Sequence, residues 1–165
     1  MKILLIEPYY TGSHKKWAEG LKKHSSHHIK ILSMKGQFWK WRMHGGAVTL
    51  AKIFNTMDWK PDLILSTDML DLTTFLALTR AKSNGVPTAI YFHENQISYP
   101  WSPRDRDILN KRDNHYGFIN YASALSADKV FFNSNFHMKT FINDLVPFLK
   151  NFPDKNETNT IREIK

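Results

Sequence analysis

The chain contains no cysteine. Disulfides, thiolate metal sites and a cysteine nucleophile are therefore excluded, and a reducing compartment is allowed; we expect a cytoplasmic protein. Long apolar runs are also missing. The longest, such as Ile3 to Ile6, fall far short of the roughly 20 residues of a membrane span, and Glu7-Pro8 follow too soon for a signal-peptide core. No membrane association is expected. Glycine is scarce where it would be diagnostic. Gly12 stands alone after the first apolar run, so there is no GxGxxG fingerprint, and no GxxxxGK[ST] occurs. Ile97 occupies the place where a zinc-protease HExxH would need its second histidine after His93-Glu94. His24, His27 and His28 lack further ligands, so no metal site is expected.

Acids are short in one region. Residues 1–60 carry eleven Lys or Arg against Glu7, Glu19 and Asp58, while the remainder carries twelve of each sign, so the whole net charge of +8 lies in the first 60 positions. A polyanionic partner on one face would account for this through counterion release; solubility alone is the plainer account.

With 165 residues, 42% of them hydrophobic, one compact domain over residues 1–152 is expected, followed by a polar tail or linker over 153–165. Strands are predicted at 2–6, 28–32, 62–66, 87–92 and 129–132, each a short apolar run. Helices are predicted at 14–24 with Ser13 as cap and at 47–57 on the Leu50, Ile53, Phe54, Met57 stripe. A third carries Leu72, Phe75, Leu76 and Thr79 and ends at Asn84-Gly85; a fourth buries Phe118, Tyr121, Ala122 and Leu125. A fifth is capped by Asn133-Ser134, turns Met138, Phe141, Ile142 and Leu145 inward, and is ended or kinked by Pro147. Strands alternating with helices define a Rossmann-like α/β fold, a parallel sheet with helices on both faces. The polar stretch 93–113 is its longest loop, a length associated with function or mobility.

Within that frame, Tyr91-Phe92-His93-Glu94-Asn95-Gln96 places an imidazole, a carboxylate and two amides at a strand's carboxyl end, where open α/β sheets bind ligands. An inert loop histidine is the bland alternative. The first loop, with Gly12, Ser13 and His14, opens a helix whose free amides suit an anion or a sugar hydroxyl, or is simply a capped turn. Trp39-Lys40-Trp41-Arg42 interleaves rings and cations as stacking on bases beside phosphates requires, with core tryptophans as the alternative.

Taken together, Gly12-Ser13-His14-Lys15, Trp39-Lys40-Trp41-Arg42, the Tyr91–Gln96 block with Tyr99-Pro100, Tyr116-Gly117, and Phe132-Asn133-Ser134 with Phe136 resemble the amino-terminal half of the tRNA-queuosine α-mannosyltransferases. The resemblance implies a retaining GT-B glycosyltransferase in which this domain receives queuosine-bearing tRNA and a second domain, expected after about residue 152, binds most of GDP-mannose. It further implies His93 and Glu94 at the chemistry, with His93 beside the transferring sugar. Gly12, Ser13, Asn133 and Ser134 would lie toward the donor, and His14, Trp39, Lys40, Trp41, Arg42, Asn95 and Gln96 toward the acceptor. No cofactor or metal is implied beyond the sugar nucleotide. The face that the second domain would cover could instead join two copies into a homodimer. A stand-alone, non-catalytic module that binds nucleic acid or glycan is the alternative function.

Overall fold

The computed structural model describes residues 1–110, 114–154 and 164. Most of the predicted tail lies outside these. Strands β1 (Lys2–Tyr10), β2 (His28–Lys35), β3 (Leu63–Thr67), β4 (Thr88–Phe92) and β5 (Lys129–Phe132) form a single parallel sheet in the order β2-β1-β3-β4-β5. Helices α1 (Gly12–His24), α2 (Trp39–Thr56), α3 (Leu72–Ser83), α4 (Arg106–Leu109), α5 (Asn114–Ser126) and α6 (Asn135–Leu149) complete the elements. The Rossmann-like α/β fold read from the sequence is present. No helix among the described residues is long and apolar enough to cross a membrane.

Alternating side chains of β1 divide the core between the sheet's two faces. Leu4 and Ile6 pack with residues of α2, α3, α5 and α6, among them Leu50, Phe54, Phe75, Tyr121 and Phe141. Ile3 and Leu5 face Ala18, Trp17 and Leu21 of α1. Helices thus lie on both faces, but unequally. On the α1 side Trp17 reaches as far as Tyr91, stacking at 4.3 Å between ring centres, while Phe131 at the sheet's far edge stays 51% exposed.

Several boundaries differ from the sequence reading, each for a visible reason. β1 runs through Glu7 and Pro8 to Tyr10, with its pairing to β2 interrupted between Glu7 and Tyr10. A proline without an amide proton is tolerated at such an irregularity. Ser13 is not the cap of α1: Thr11 holds that position without a side-chain cap bond, and Gly12 takes φ +51°, a value that favours glycine. α2 begins at Trp39, eight residues before the predicted start. A Cβ on Gly46, inside this helix, would come within 3.1 Å of Pro8, so close packing of helix on strand accounts for the small residue there.

The long loop contains α4. In α5 the predicted stripe is partly rotated: Tyr121 is buried as expected, but Phe118 is exposed, Ala122 and Leu125 are half-buried, and Tyr116, Ile119, Asn120, Ser123 and Ala124 are buried. Two of these are polar because they hold loops, as described below, which no apolar stripe reveals. In α6, Ser134 caps as expected by accepting from the His137 amide at 3.1 Å. Phe141 and Leu145 are buried as expected, Ile142 is exposed, and the helix runs two residues past Pro147.

Candidate functional site

In this strand order the chain leaves β1 toward β2 on one side and builds β3, β4 and β5 on the other. The carboxyl ends of β1 and β3 therefore open a crevice where ligands bind in such sheets. Glu7 and the Tyr9–His14 turn come from β1, Asp68 follows β3, and His93 to Gln96 follow β4.

Glu7 is fully buried. Its Oε1 accepts from the Tyr9 amide at 2.8 Å and its Oε2 pairs with His14 Nδ1 at 3.0 Å. The His14 ring lies 4.2 Å from that of His93, which is also packed edge-on by Trp17 and Tyr91. His93 Nε2 sits 3.8 Å from Glu7 Oε2 and has no hydrogen-bond partner. The backbone of His93 is clamped: its amide donates to Asp68 Oδ1 at 2.8 Å, and its carbonyl accepts from Asn133 Nδ2 at 2.7 Å.

These contacts set the charges. Burial pushes His93 down to about 3, helped by the neighbouring His14, so its imidazole is neutral. Burial opposes a charge on His14 too, but the hydrogen bond and charge of Glu7, with Asp68 and Glu94 beyond, outweigh it and raise its pKa. Desolvation carries the fully buried Asp68 up to about 8 and raises Glu94 as well. Glu7, His14 and His93 bring their ligand atoms within 4.8 Å of one another, the one such grouping among the described residues. Two imidazoles and a carboxylate could ligate a transition metal, yet here the same atoms pair with each other, Glu7 Oε2 to His14 Nδ1.

A cavity of about 420 Å³ opens beside this cluster, bordered by Tyr9, Gly12, Ser13, His14, Trp39, Glu94, Gln96 and Trp101. A second, of about 390 Å³, is bordered by His93, Asn95, Asn133, Ser134 and Phe136. Glu94, Tyr99 and Pro100 border both and form their common wall. The four residues expected toward the donor are accordingly divided, Gly12 and Ser13 in the first hollow and Asn133 and Ser134 in the second.

Asn95 is spent on the protein itself. Its Oδ1 accepts from the Ile97 and Ser98 amides, and its Nδ2 bonds His137 and Ser98, fixing the turn after the motif. Gln96 borders the first cavity, and its Oε1 has no partner. The Trp39–Arg42 motif splits because it is a helical turn rather than a loop. Trp39 turns to the cavity and packs on Trp101 and Tyr116. Lys40 pairs with Asp105 at 2.5 Å and with Asp107, over the rings of Trp39, Trp101 and Tyr116, so it is committed to holding the 101–109 segment. Trp41 is 62% exposed and lies over Gly45, and Arg42 Nε donates to the Lys35 carbonyl at 3.2 Å. Lys40→Ala should loosen the 101–109 segment and speed proteolytic cleavage there, with only a small effect on global stability because the pair is solvent-screened; cleavage at the wild-type rate would contradict this role.

Glu7, Asp68 and Asn120 were not singled out from the sequence. Asn120, fully buried on α5, accepts from the Gln96 amide at 2.7 Å and donates to the Asp68 carbonyl at 2.8 Å. Ser123, one turn on, accepts from the Leu72 amide at 3.1 Å and donates to the Leu70 carbonyl at 3.3 Å. For the two acids a signal existed, since each follows an apolar run at the same sheet edge as His93.

An open parallel sheet with a polar, partly aromatic cavity at its switch point defines a Rossmann-like α/β domain. More particularly, the chain belongs to the family described as tRNA-queuosine alpha-mannosyltransferase N-terminal, which matches residues 2–165. A fruit-fly protein (Drosophila melanogaster) named tRNA-queuosine alpha-mannosyltransferase is 35% identical over 153 residues, which are 92% of this chain and 39% of that protein. The chain thus spans well under half the length of this relative.

Proposed function

We propose that this chain is the acceptor-side half of a retaining GT-B glycosyltransferase that moves mannose from GDP-mannose to queuosine in tRNA in the cytoplasm. The observation that carries the reading is the 35% identity, over 92% of the chain, to a protein whose name states mannosyl transfer to queuosine in tRNA. In the transfer the bond from the anomeric carbon to the diphosphate breaks, a bond to the acceptor oxygen forms, and the acceptor's proton leaves with the diphosphate. The domain supplies orientation and electrostatics rather than a metal. His93, whose backbone is held from both sides, and Glu94 in the wall between the hollows lie closest to the reacting groups; a second domain, beyond residue 152, binds the rest of the donor.

With Lys40 committed to Asp105 and Asp107, the tRNA phosphates are met by exposed cations such as Lys16, Lys22 and Lys23 of α1, with Trp41 and Arg42 at the rim. The full-length protein should transfer labelled mannose to queuosine-bearing tRNA, and His93→Ala should lower the rate about 100-fold; no transfer would end the reading. Binding of tRNA should weaken with salt, and Lys16→Ala, Lys22→Ala and Lys23→Ala together should reduce the salt slope by about two to three. A slope unchanged by the three substitutions would exclude that face.

A further inference from the structure

Two buried polar groups at the switch point bear on the first cavity, one behind its wall and one on it. Glu7 sits fully buried in β1 with both oxygens engaged, one by its own backbone turn and the other by His14 Nδ1 at 3.0 Å. A carboxylate so far from water is costly unless its charge or geometry is needed. Gln96, 6% exposed, borders the same cavity, and its Oε1 has no hydrogen-bond partner. A buried acceptor left open suits a ligand that donates a hydrogen bond. Trp39, Trp101, Tyr9 and Tyr99 add apolar ring faces to the walls, and Glu94 adds a second acceptor. Ring faces together with a carboxylate, an amide oxygen and an imidazole are what a hydroxyl-bearing ring requires.

We propose that this cavity binds a ring carrying vicinal hydroxyls, and that Glu7 is the positioning residue that fixes His14 through Nδ1 so that its Nε2 hydrogen-bonds one of those hydroxyls. The inference rests on the glycosyl-transfer reading only for the source of the ring, which is either the diol of queuosine or the mannosyl group of the donor. His93 does not compete for this role, because it borders the second hollow and its buried Nε2 faces Glu7 at 3.8 Å. His14 is faced by Glu7 from β1, by Asp68 after β3 and by His93 and Glu94 after β4, with the edge of Tyr9 against its ring. Among these, Glu7 alone hydrogen-bonds it.

The test uses the full-length protein, with queuosine nucleoside and GDP-mannose as separate probes in calorimetric titrations. One of the two should bind, and His14→Ala and Gln96→Ala should each weaken that probe about tenfold. In Glu7→Gln the His14 titration, followed by NMR, should move to lower pH, because burial then acts with less opposition; Glu7→Asp should restore part of the shift. If Glu7→Gln does not fold, the wild-type spectrum decides, since Nδ1 of His14 must carry the proton shared with Glu7. Neither probe binding, binding of the probe that is indifferent to His14, or a His14 titration unmoved in folded Glu7→Gln would overturn the proposal. Retained His14-dependent binding without mannose transfer would remove the transfer reading and leave this one standing; transfer without that dependence would do the reverse.

Discussion

Asp68→Asn is expected to remove a fall in folding stability that runs from about pH 4 to pH 8. The variant should lose less stability than wild type above about pH 6.5 and, with His93 left uncompensated, gain stability as pH rises between about 4 and 6.5. In the native protein the Asp68 carboxyl keeps its proton until about pH 8, chiefly through burial, whereas in the unfolded chain it ionises from its ordinary value of 3.8. The native state therefore binds more protons across that window, and stability falls as pH rises through it. The loss reaches the order of a few kcal/mol by pH 8. His93 acts in the opposite sense. Its native pKa of about 3 lies below the ordinary 6.5, so the unfolded state takes up the proton first and stability falls as pH drops through that range.

The two slopes offset each other between about pH 4 and 6.5, leaving Asp68 uncompensated above. His14 adds to the decline, since a raised imidazole pKa contributes stability that is present below 6.5 and lost as pH rises through the native value. Urea unfolding of wild type and Asp68→Asn at a series of pH values measures this directly. The asparagine keeps an oxygen for the His93 amide, which Asp68 Oδ1 accepts at 2.8 Å, and loses only the titration. Parallel curves for the two proteins would mean that Asp68 ionises normally.

Asn120→Ala should be among the most damaging single changes outside the apolar core, at about 2–4 kcal/mol. Its side chain is fully buried and makes two bonds, accepting from the Gln96 amide at 2.7 Å and donating to the Asp68 carbonyl at 2.8 Å. Alanine leaves an amide and a carbonyl buried without partners, and each pays the desolvation of an unmade hydrogen bond. The damage should also spread to the site, because Asn120 ties the turn after β3 to the turn after β4. Asp68 and His93 would then be free to separate, and His93 would titrate nearer its ordinary value. Thermal unfolding gives the first effect, with a fall of several degrees in Tm, and NMR titration of His93 gives the second. A stable variant with His93 still at about 3 would show that the apolar core alone holds the loops.

The architecture was legible because its signal is local and repeated. Five short apolar runs alternating with helical periodicity allow little besides a parallel sheet, and Leu4, Ile64 and Ile90 occupy the buried positions that such runs predict. His93-Glu94 was legible for the same reason, as polar residues at the point where an apolar strand ends. Helix-terminal chemistry was partly legible: Ser134 caps α6 as its type suggests, whereas Thr11, with no side-chain bond, took the place expected of Ser13.

What the sequence could not decide was partnership over long separations. Nothing local shows that Lys40 would meet Asp105 and Asp107 rather than a phosphate. Nor does it show that Glu7 would lie under His14 and His93, that Asn95 would turn back on its own loop, or that Asn120 would be buried to join two strand ends. A charged or amide side chain has the same propensities whether it faces water or a partner 50 residues away. Which of these happens depends on how the strands are ordered, and with it follow the burial and the counter-charge that fix the protonation of Asp68, His14 and His93.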